Sequence, residues 1–527
     1  MRFFNTAGPV KGDIHYCLPP LERFNLADIL TLIDQQKYFV LHAPRQTGKT
    51  SALLALMEYL NREGKYRCLY VNVETAQAAR EDVAQGITAV VQTIAMRART
   101  MLGDPTAEEL SDKVLARSAP FVALEAFLTE WCERKIPPPL ILLVDEIDAL
   151  VGDTLLAVLR QLRAGYDKRP SLFPQSIVLC GVRDVQDYRI HSSREKAVIS
   201  GGSAFNVKAE SLRLGNFDQV EMTQLYQQHT EETGQVFEEA GLELAWELTQ
   251  GQPWLVNALA YEACFKMSAG LDRTQPITPG ILTEAKERLI IRRETHIDQL
   301  VDKLKEERVR RVIEPILAGT ASPDLIPTDD IDYVRDLGLI RTDEGQLTIA
   351  NRIYQEVIPR ELTYSTQLTI SQQPAWYIGS DGRLEMNKLL AAFQQFFREH
   401  SESWVQRFDY AEAGPQLLMQ AFLQRIINGG GRVEREYGLG RGRTDLLIIW
   451  PYPRGQQRVV IELKIRRGPL EQTIAQGLEQ TWTYLDRVGA EKGHLVVFDR
   501  DKRRSWEEKI FSREEVYQGT TIKVWGM

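Results

Sequence analysis

The residues best suited to chemistry in the first part of the chain form a short loop that contains glycine and lysine. Residues 43–50 read APRQTGKT and match the pattern GxxxxGK[ST], except that Ala43 stands at the first glycine position. An apolar stretch precedes the loop and a segment of helical periodicity follows it, which is the context that this phosphate-binding motif requires. Backbone N–H groups at a helix N-terminus attract anions. The loop therefore predicts a nucleotide site, in which Ala43 would be costly if its position required a positive φ.

The individual residues of the loop have expected roles toward ATP and Mg²⁺, the two cofactors that it predicts. Lys49 would bridge the β- and γ-phosphates, and the Thr50 hydroxyl would coordinate the metal ion. The other predicted nucleotide contacts are Pro44, Arg45, Gln46, Thr47 and Gly48.

Two carboxylates after a second apolar stretch complete this predicted site. Residues 140–146 read LILLVDE, an apolar strand that ends in Asp145 and Glu146. Asp145 suits the Mg²⁺ shell because hard oxygen ligands bind this ion. Glu146 suits polarisation of the water that attacks the γ-phosphate.

A second set of chemical residues lies near the C-terminal end of the chain. Asp445 begins an apolar stretch, and a turn then leads to residues 458–464, which read RVVIELK. Strand alternation places Glu462 and Lys464 on one face, and a hairpin would bring Asp445 close to Glu462. Paired carboxylates suit Mg²⁺ or Mn²⁺, and such a metal would activate water and stabilise charge on a scissile phosphate. Lys464 would orient the water or neutralise the transition state.

Further polar residues flank this pair. Gln480 and Tyr484 have the i, i+4 spacing that places both on one face of a predicted helix. Arg441 and Arg443 lie on a glycine-rich turn, GLGRGR, just before Asp445. These arginines could approach a phosphate backbone, so we expect them to contact nucleic acid.

The elements that must position these residues follow from the hydrophobic pattern. Strands alternate with helices up to about residue 215, which predicts a parallel sheet with helices on both faces. Helical periodicity then continues to about residue 299. Residues 300–362 show two amphipathic helices, a short hairpin and a further helix, an order that suggests a winged helix. Residues 363–385 are polar without a sustained period and predict a linker, and mixed helices and strands follow to residue 527.

The predicted winged helix is poorly suited to reading DNA. Its second helix carries the four aspartates Asp329, Asp330, Asp332 and Asp336, which phosphates would repel. A role as a lid or intramolecular clamp fits better. The basic run at residues 308–311 in the preceding helix is typical of a solvated face, with a contact to nucleic acid or to the C-terminal domain as the alternative.

Composition narrows the class of protein. A chain of 527 residues is too long for one hydrophobic core. The net charge of −8 does not indicate a nucleic-acid binder, although residues 430–527 hold 18 Lys and Arg against 14 Asp and Glu. The apolar runs are too short to span a bilayer, and the first residues lack a signal-peptide pattern. Five cysteines without CxxC spacing indicate reduced thiols. We therefore expect a cytoplasmic protein without a membrane partner.

The first motifs resemble those of AAA+/STAND ATPases related to origin-recognition proteins. The resemblance rests on APRQTGKT, LLVDEID and the Gly251-Gln252-Pro253 sequence. It implies that Pro253 touches the adenine from a helical lid and that Arg183 senses the γ-phosphate. Separation of two helices is the alternative role for Pro253, and a surface salt bridge is the alternative for Arg183.

The last part of the chain resembles the PD-(D/E)XK nuclease superfamily in its order of elements and in its D…ExK and QxxxY residues. This resemblance implies catalytic roles for Asp445, Glu462, Lys464, Gln480 and Tyr484. It also implies a further glutamate in the metal site, for which Glu412 is the best match and Glu434 or Glu436 could compete. The stretches HYCLPPLERF, LHAPRQTGKTS, FLQRIINGGGRVEREYGLGRGRTDLLI and VIELKI make the whole chain similar to bacterial fusions of such an ATPase and nuclease.

These resemblances imply an α/β multidomain protein with a P-loop parallel-sheet ATPase and a restriction-endonuclease-like domain. The expected domains are an ATPase domain at 1–215, a helical lid at 216–299, a winged helix at 300–362, a linker at 363–385 and a nuclease domain at 386–527. The leading hypothesis is an ATP-regulated, metal-dependent nuclease that cleaves DNA rather than RNA, in genome or anti-phage defence.

The first alternative is a STAND-type signalling or scaffold protein whose nuclease fold binds nucleic acid or a partner without cleavage, and nucleotide-dependent homo-oligomers are possible. An ATP-driven translocase is a weaker alternative, because the sequence shows neither paired motor domains nor a pore loop.

Overall fold

The computed structural model describes most of the chain. The residues outside the described part are 135–137, 185–188, 193–196, 201–204, 293–294, 318–325, 344, 363–376, 406–414, 416–417, 421, 424–430, 437–444, 467, 491, 500 and 502. The chain forms two compact units, of which unit 1 comprises Met1–Arg292 with Asp336–Gly338, and unit 2 comprises Arg293–Arg335 with Leu339–Met527.

Unit 1 is built on a five-stranded parallel sheet with the strand order β4-β5-β6-β3-β9. The strands are β3 (Tyr38–His42), β4 (Arg67–Asn72), β5 (Leu140–Asp145), β6 (Ser176–Gly181) and β9 (Lys208–Arg213). Every residue of β5 and β6 is buried. Continuous apolar strands are typical of a parallel sheet that is covered on both faces, and the parallel sheet predicted from the sequence is confirmed.

Helices cover both faces of this sheet. The helices are α1 (Leu26–Asp34), α2 (Lys49–Glu63), α3 (Val83–Leu102), α4 (Thr106–Arg117), α5 (Pro120–Arg134) and α6 (Gly152–Ala164). One core contains apolar residues of α1 and α2, and the other contains those of α3 to α6. Helix α2 ends at Gly64, which adopts φ +72° and so stops the helix in a conformation that favours glycine.

Unit 1 also contains a helical part at residues 219–292. It contains α7 (Gln219–Thr233), α8 (Glu239–Thr249), α9 (Pro253–Tyr261), a π-helical turn (Glu262–Lys266), α10 (Ser268–Leu271) and α11 (Pro279–Arg292). Helix α7 begins with a capping box in which Asp218 and Glu221 satisfy each other's backbone N–H groups. A separate antiparallel hairpin is formed by β7 (Arg189–Ser192) and β8 (Ala197–Ser200).

The first residues of the chain pack on this helical part. Strands β1 (Phe3–Phe4) and β2 (His15–Tyr16) pair in parallel, and Phe4 and Tyr16 are buried. Arg2 Nε lies 3.0 Å from Glu232 Oε2, and the Tyr16 hydroxyl lies 3.3 Å from His229 Nδ1. The start of the chain, which the sequence groups with the sheet domain, therefore contributes to the core of the helical part.

Unit 2 begins with four helices and a hairpin. The elements are α12 (Thr295–Leu304), α13 (Glu307–Leu317), α14 (Thr328–Asp336), β10 (Ile340–Asp343), β11 (Gln346–Ile349) and α15 (Arg352–Leu362). His296 Nε2 lies 2.5 Å from the Tyr354 hydroxyl, so α12 is joined to α15. Helix α12 thus packs with this segment, although half of it falls in the range 216–299 predicted for the preceding helical domain.

The rest of unit 2 is a six-stranded mixed sheet with the order β12-β13-β14-β15-β17-β16. Its elements are α16 (Met386–Val405), β12 (Arg432–Glu436), β13 (Asp445–Tyr452), β14 (Gly455–Ile465), α17 (Leu470–Val488), β15 (Lys492–Phe498), α18 (Trp506–Lys509), β16 (Phe511–Tyr517) and β17 (Thr520–Gly526). Helix α16 packs against one face and α17 against the other. In the described part of the chain, no helix has the length and apolar character needed to cross a membrane.

The end of the predicted linker belongs to this second core. Ile378 pairs with Leu384, and Leu384 is buried among residues of α16 and β14. Gln457 accepts from the Leu384 N–H at 2.7 Å. Residues 377–385 are therefore folded against the C-terminal sheet, whereas 363–376 lie outside the described residues.

Helix α5 allows a direct test of the core of unit 1. Phe127 is fully buried and Phe121 is 63% exposed on the same helix. We expect Phe127→Ala to lower the free energy of unfolding by about 3–5 kcal/mol, because a large cavity remains. Phe121→Ala should change it by less than about 0.5 kcal/mol. Guanidinium unfolding followed by circular dichroism measures both, and equal effects would contradict the assigned packing of α5.

Candidate functional site

The phosphate-binding loop connects β3 to α2 at the edge of the sheet where the parallel strands end. Gly48 has φ +95° and Gln46 has φ +57°, so the left-handed positions of the loop fall at these two residues. Ala43 is not among the described residues with positive φ. The departure from glycine at this position therefore carries no backbone strain, which answers the concern raised by the sequence.

Lys49 is folded back onto its own loop. Its ammonium donates to the carbonyl oxygens of Ala43 at 3.0 Å and Pro44 at 2.9 Å, and the residue is 6% exposed. Thr47 Oγ1 also donates to the Pro44 oxygen at 2.8 Å. These contacts hold a positive charge beside the backbone N–H groups that face an incoming phosphate.

Asp145 is the buried centre of the site, with no exposed surface. Its Oδ2 accepts hydrogen bonds from Thr50 Oγ1 at 2.7 Å and from the Tyr70 hydroxyl at 2.9 Å, and its Oδ1 accepts from the Glu146 N–H at 3.0 Å. The Thr50 hydroxyl and the Asp145 carboxylate are neighbouring hard oxygen donors, the type of ligand that Mg²⁺ prefers. The two predicted metal ligands of this site are therefore adjacent.

Glu146 follows Asp145 in a left-handed conformation with φ +57°. Burial raises the pKa of its carboxyl, and the charges of Asp148 and Asp145 raise it further, whereas Lys49 and Arg45 lower it. A carboxylate with a raised pKa is a better proton acceptor. Lys49 and Arg45 thus both lie close enough to Glu146 for electrostatic interaction with its carboxylate.

A cavity of about 130 Å³ lies beside the loop. It is lined by Gln46, Thr47 and Gly48 of the loop, and by Pro253 at the start of α9. Pro253 is buried, and Gln252 caps α9 by accepting from the Leu255 N–H at 2.6 Å. Pro253 therefore lies both at a helix start and in the cavity wall, so its two predicted roles are compatible.

Arg183 follows β6, as expected for the predicted sensor. Its Nε lies 3.9 Å from Asp336 Oδ2 within unit 1, and its side chain is 12% exposed. Arg183 thus lies within ion-pair distance of a carboxylate, and its role toward a nucleotide stays a prediction.

The structure adds residues whose role the sequence did not indicate. Arg23 and the chain segment at residues 5–8 line the same cavity, and Tyr70 donates to Asp145. The stretch HYCLPPLERF, which contains Arg23, contributed only to the family resemblance and had no predicted role. Tyr70 lies in an apolar strand, where a tyrosine is expected for packing alone.

Two of the residues predicted for the second site lie at facing positions on neighbouring strands of the second sheet. Strands β13 and β14 are antiparallel, and Asp445 lies directly opposite Glu462 in the register. Glu462 has no exposed surface, and its Oε1 lies 2.6 Å from the Lys464 ammonium. On β12, Glu436 is the register partner of Asp445, while Glu434 is opposite Leu447. Positions 436, 445 and 462 therefore form one acidic row across three strands.

Helix α17 covers the face of the sheet that carries Glu462. Tyr484 is buried among Val460, Leu495 and other residues of this face. Gln480 is half-buried, and its Oε1 is buried without a hydrogen-bond partner among the described residues. The predicted helix with both residues is present.

The remaining predicted residues of this site cannot be placed. Glu412, Arg441 and Arg443 lie outside the described residues. In the part of the chain that the structure describes, no three His, Cys, Asp or Glu side chains are arranged to hold a metal ion.

Opposite charges in the helix–hairpin segment neutralise each other. Asp330 of α14 lies 3.2 Å from Arg308 and 2.9 Å from Arg311 of α13. Asp332 lies 2.7 Å from Arg335. Arg308 and Arg311 of the basic run therefore pair with one aspartate of the acidic helix, Asp330, within unit 2.

Comparison with solved structures finds similar P-loop folds at low identity. The Walker-type ATPase of Pyrococcus abyssi is 14% identical over 67% of this chain and 99% of its own, with a TM-score of 0.46. The RuvB Holliday junction branch migration motor of Thermotoga maritima is 13% identical over 64% and 96%, with a TM-score of 0.33. Cdc6p of Pyrobaculum aerophilum is 13% identical over 66% and 93%, with a TM-score of 0.35. All three TM-scores are below 0.5, so no function is inferred from these similarities.

No curated protein sequence matches the chain. The model of the AAA-like domain family matches residues 27–359, which contain the loop, β5 and the helical part. This match covers more than half of the chain and the whole nucleotide site apart from Arg23 and the first residues. The chain therefore belongs to the AAA-like domain family and carries its ATPase-type P-loop.

Proposed function

We propose that the chain is an ATP-regulated nuclease, in which a P-loop ATPase controls a metal-dependent active site in the C-terminal sheet. The observation that carries this proposal is the pairing of Asp445 with Glu462, beside an ammonium at 2.6 Å from Glu462. Glu462 has no exposed surface, and a buried ion pair of this kind adds little net stability, which favours a functional role for this carboxylate. DNA is the expected substrate, and genome or anti-phage defence is the setting that the family resemblance implies.

The proposed nucleotide chemistry follows from the residues around Asp145. Bound Mg²⁺ would supply charge neutralisation at the phosphates, held by Thr50 and Asp145. Lys49 would leave the carbonyl oxygens of Ala43 and Pro44 and bind the β- and γ-phosphates. Glu146 would accept the proton of the attacking water, and Arg183 would sense the γ-phosphate after release from Asp336. The helical part at 219–292 would act as the lid through Pro253.

The proposed nuclease chemistry needs the acidic row of the second sheet. Asp445 and Glu462 would hold Mg²⁺ or Mn²⁺, which supplies an activated water when bound. Lys464 would orient that water or neutralise charge on the phosphate, and Gln480 and Tyr484 would position the substrate from α17. Glu436 is the favoured third acid among the described residues because it shares the row of Asp445, and Glu412 remains the alternative from the family pattern. Arg441 and Arg443 would contact the nucleic-acid backbone.

Substitution of Lys49 tests the nucleotide site. Lys49→Met should lower kcat for ATP hydrolysis by about 100-fold or more, since it removes a preorganised charge at the transferred phosphate. Lys113→Met, at an exposed position of α4, is the matched control and should keep wild-type activity. Phosphate release at saturating ATP measures both, with circular dichroism as the check of folding. Wild-type turnover by a folded Lys49→Met protein would refute the assignment.

The pKa of Glu146 gives a prediction about pH. Asp148 raises this pKa, so Asp148→Asn should lower it. A base that stays ionised to lower pH keeps its activity there, and the acidic limb of the kcat profile should therefore move to lower pH. Asp112→Asn on α4 serves as the control of equal charge change. An unmoved or upward-shifted limb would exclude Glu146 as the proton acceptor.

Substitution of Glu462 tests the nuclease site. Glu462→Gln should reduce divalent-dependent cleavage by about 100-fold or more, because metal catalysis contributes several kcal/mol. Glu514→Gln changes an exposed residue of β16 in the same sheet and should cleave normally. The assay uses single-stranded, duplex and branched DNA and single-stranded RNA, with Mg²⁺ or Mn²⁺, each with and without ATP.

The same assay examines the third acid. Glu436→Gln should resemble Glu462→Gln, whereas Glu434→Gln, two register pairs along β12, should retain cleavage. Undiminished cleavage by a folded Glu462→Gln protein would refute the site. Nucleotide-dependent oligomers of the wild-type chain without cleavage of any substrate would favour the signalling or scaffold alternative.

A further inference from the structure

Arg23 joins two parts of unit 1 that are distant in sequence. Its Nη1 donates to the Thr47 carbonyl oxygen, and its Nη2 donates to the Gly215 carbonyl oxygen at 2.6 Å. Its Cζ lies 4.6 Å from the centroid of the Phe217 ring. Thr47 belongs to the phosphate-binding loop, whereas Gly215 and Phe217 belong to residues 214–218, which we call the β9–α7 link. One planar guanidinium therefore holds the loop and the link together.

The β9–α7 link is in turn fixed to the turn before α9. The Phe217 N–H donates to the Gly251 oxygen at 2.9 Å. Gly251 has φ +68°, and a Cβ at this position would lie 1.9 Å from the Phe217 oxygen. The link and the turn therefore pack backbone against backbone, joined by this hydrogen bond. A shift of the link must therefore move the turn and Pro253, which lines the cavity beside the loop.

The positive charge of Arg23 lies beside the loop that is expected to bind phosphate. Burial lowers the pKa of the guanidinium to about 10, against the opposing influence of Glu221, so the group stays protonated at neutral pH. Among the described residues no carboxylate forms an ion pair with Arg23. A Cβ on Gly48 would lie 2.7 Å from its Nη1. The cation thus lies next to Gly48, the N-cap residue of α2, where the loop attracts phosphate.

We propose that Arg23 is a positioning residue that couples nucleotide binding in the loop to the position of the β9–α7 link and α7. The inference rests on the proposed nucleotide site and adds the connection between that site and the helical part. A nucleoside di- or triphosphate orders the loop, and the Thr47 oxygen then fixes Arg23, which fixes the link. The planar fork is essential, because a lysine ammonium provides a point charge but lacks the geometry to bridge both oxygens.

Two variants of the full chain separate this role from a simple charge effect. Arg23→Met removes the fork and the charge, and Arg23→Lys keeps only the charge. Arg99→Met is the matched control, since Arg99 is 61% exposed on α3 and pairs with Glu108. Equilibrium titration with ADP gives the affinity, and hydrogen exchange with and without ADP gives the protection of residues 214–218.

In the wild-type and Arg99→Met proteins, ADP should slow exchange in both the loop and the β9–α7 link. In both Arg23 variants ADP should protect the loop but not the link, and its affinity should fall about fivefold or more, as expected for a lost coupling. Full restoration by Arg23→Lys, or protection of the link in folded Arg23→Met, would overturn the proposal. A wild-type chain that binds no ADP would refute the nucleotide site itself, and the coupling with it.

Discussion

The fold of unit 1 must provide hydrogen-bond donors to the fully buried carboxylate of Asp145. A charge without solvent costs on the order of several kcal/mol unless donors surround it. The donors come from three places, the Thr50 hydroxyl at the start of α2, the Tyr70 hydroxyl on β4 and the N–H of Glu146. They reach one carboxylate only if β3, β4 and β5 run parallel and end at one edge. The parallel sheet and the phosphate-binding loop are therefore both required to place hydrogen-bond donors around the Asp145 carboxylate.

Features that depend on neighbours in sequence were predictable, and features that depend on distant packing were not. The loop, the acidic end of β5 and the opposition of Asp445 and Glu462 follow from motifs, strand period and a short turn. The contact of Tyr16 with His229 and that of Arg23 with Gly215 join residues 213 and 192 positions apart, and no local pattern encodes them. The end of the linker is hard to predict for the same reason, because Leu384 lies in a polar stretch of sequence and is buried only by distant residues.

The two acidic sites differ in how their charges are balanced. Asp145 is held by neutral donors, so a metal ion can add its charge without displacing a cation. Glu462 already faces the Lys464 ammonium at 2.6 Å, and a metal at this carboxylate would have to share it. We therefore expect the nucleotide site to bind a metal ion more tightly than the C-terminal site, because phosphate oxygens would also contribute ligands there. The C-terminal site would need substrate phosphate, or a further acid of the row, to bind a metal tightly.

The ion pairs between α13 and α14 bear on how the chain would respond to salt. An arginine that is paired with a carboxylate, as Arg308 and Arg311 are with Asp330, attracts a phosphate less strongly than an unpaired arginine does, because the carboxylate repels the phosphate. The salt dependence of nucleic-acid affinity reports the number of phosphates that are neutralised. In a test of nucleic-acid binding, we therefore expect the slope of log affinity against log salt to report mainly cations outside these ion pairs. These ion pairs are partly exposed to solvent, so a higher ionic strength would screen them and weaken the contact between α13 and α14.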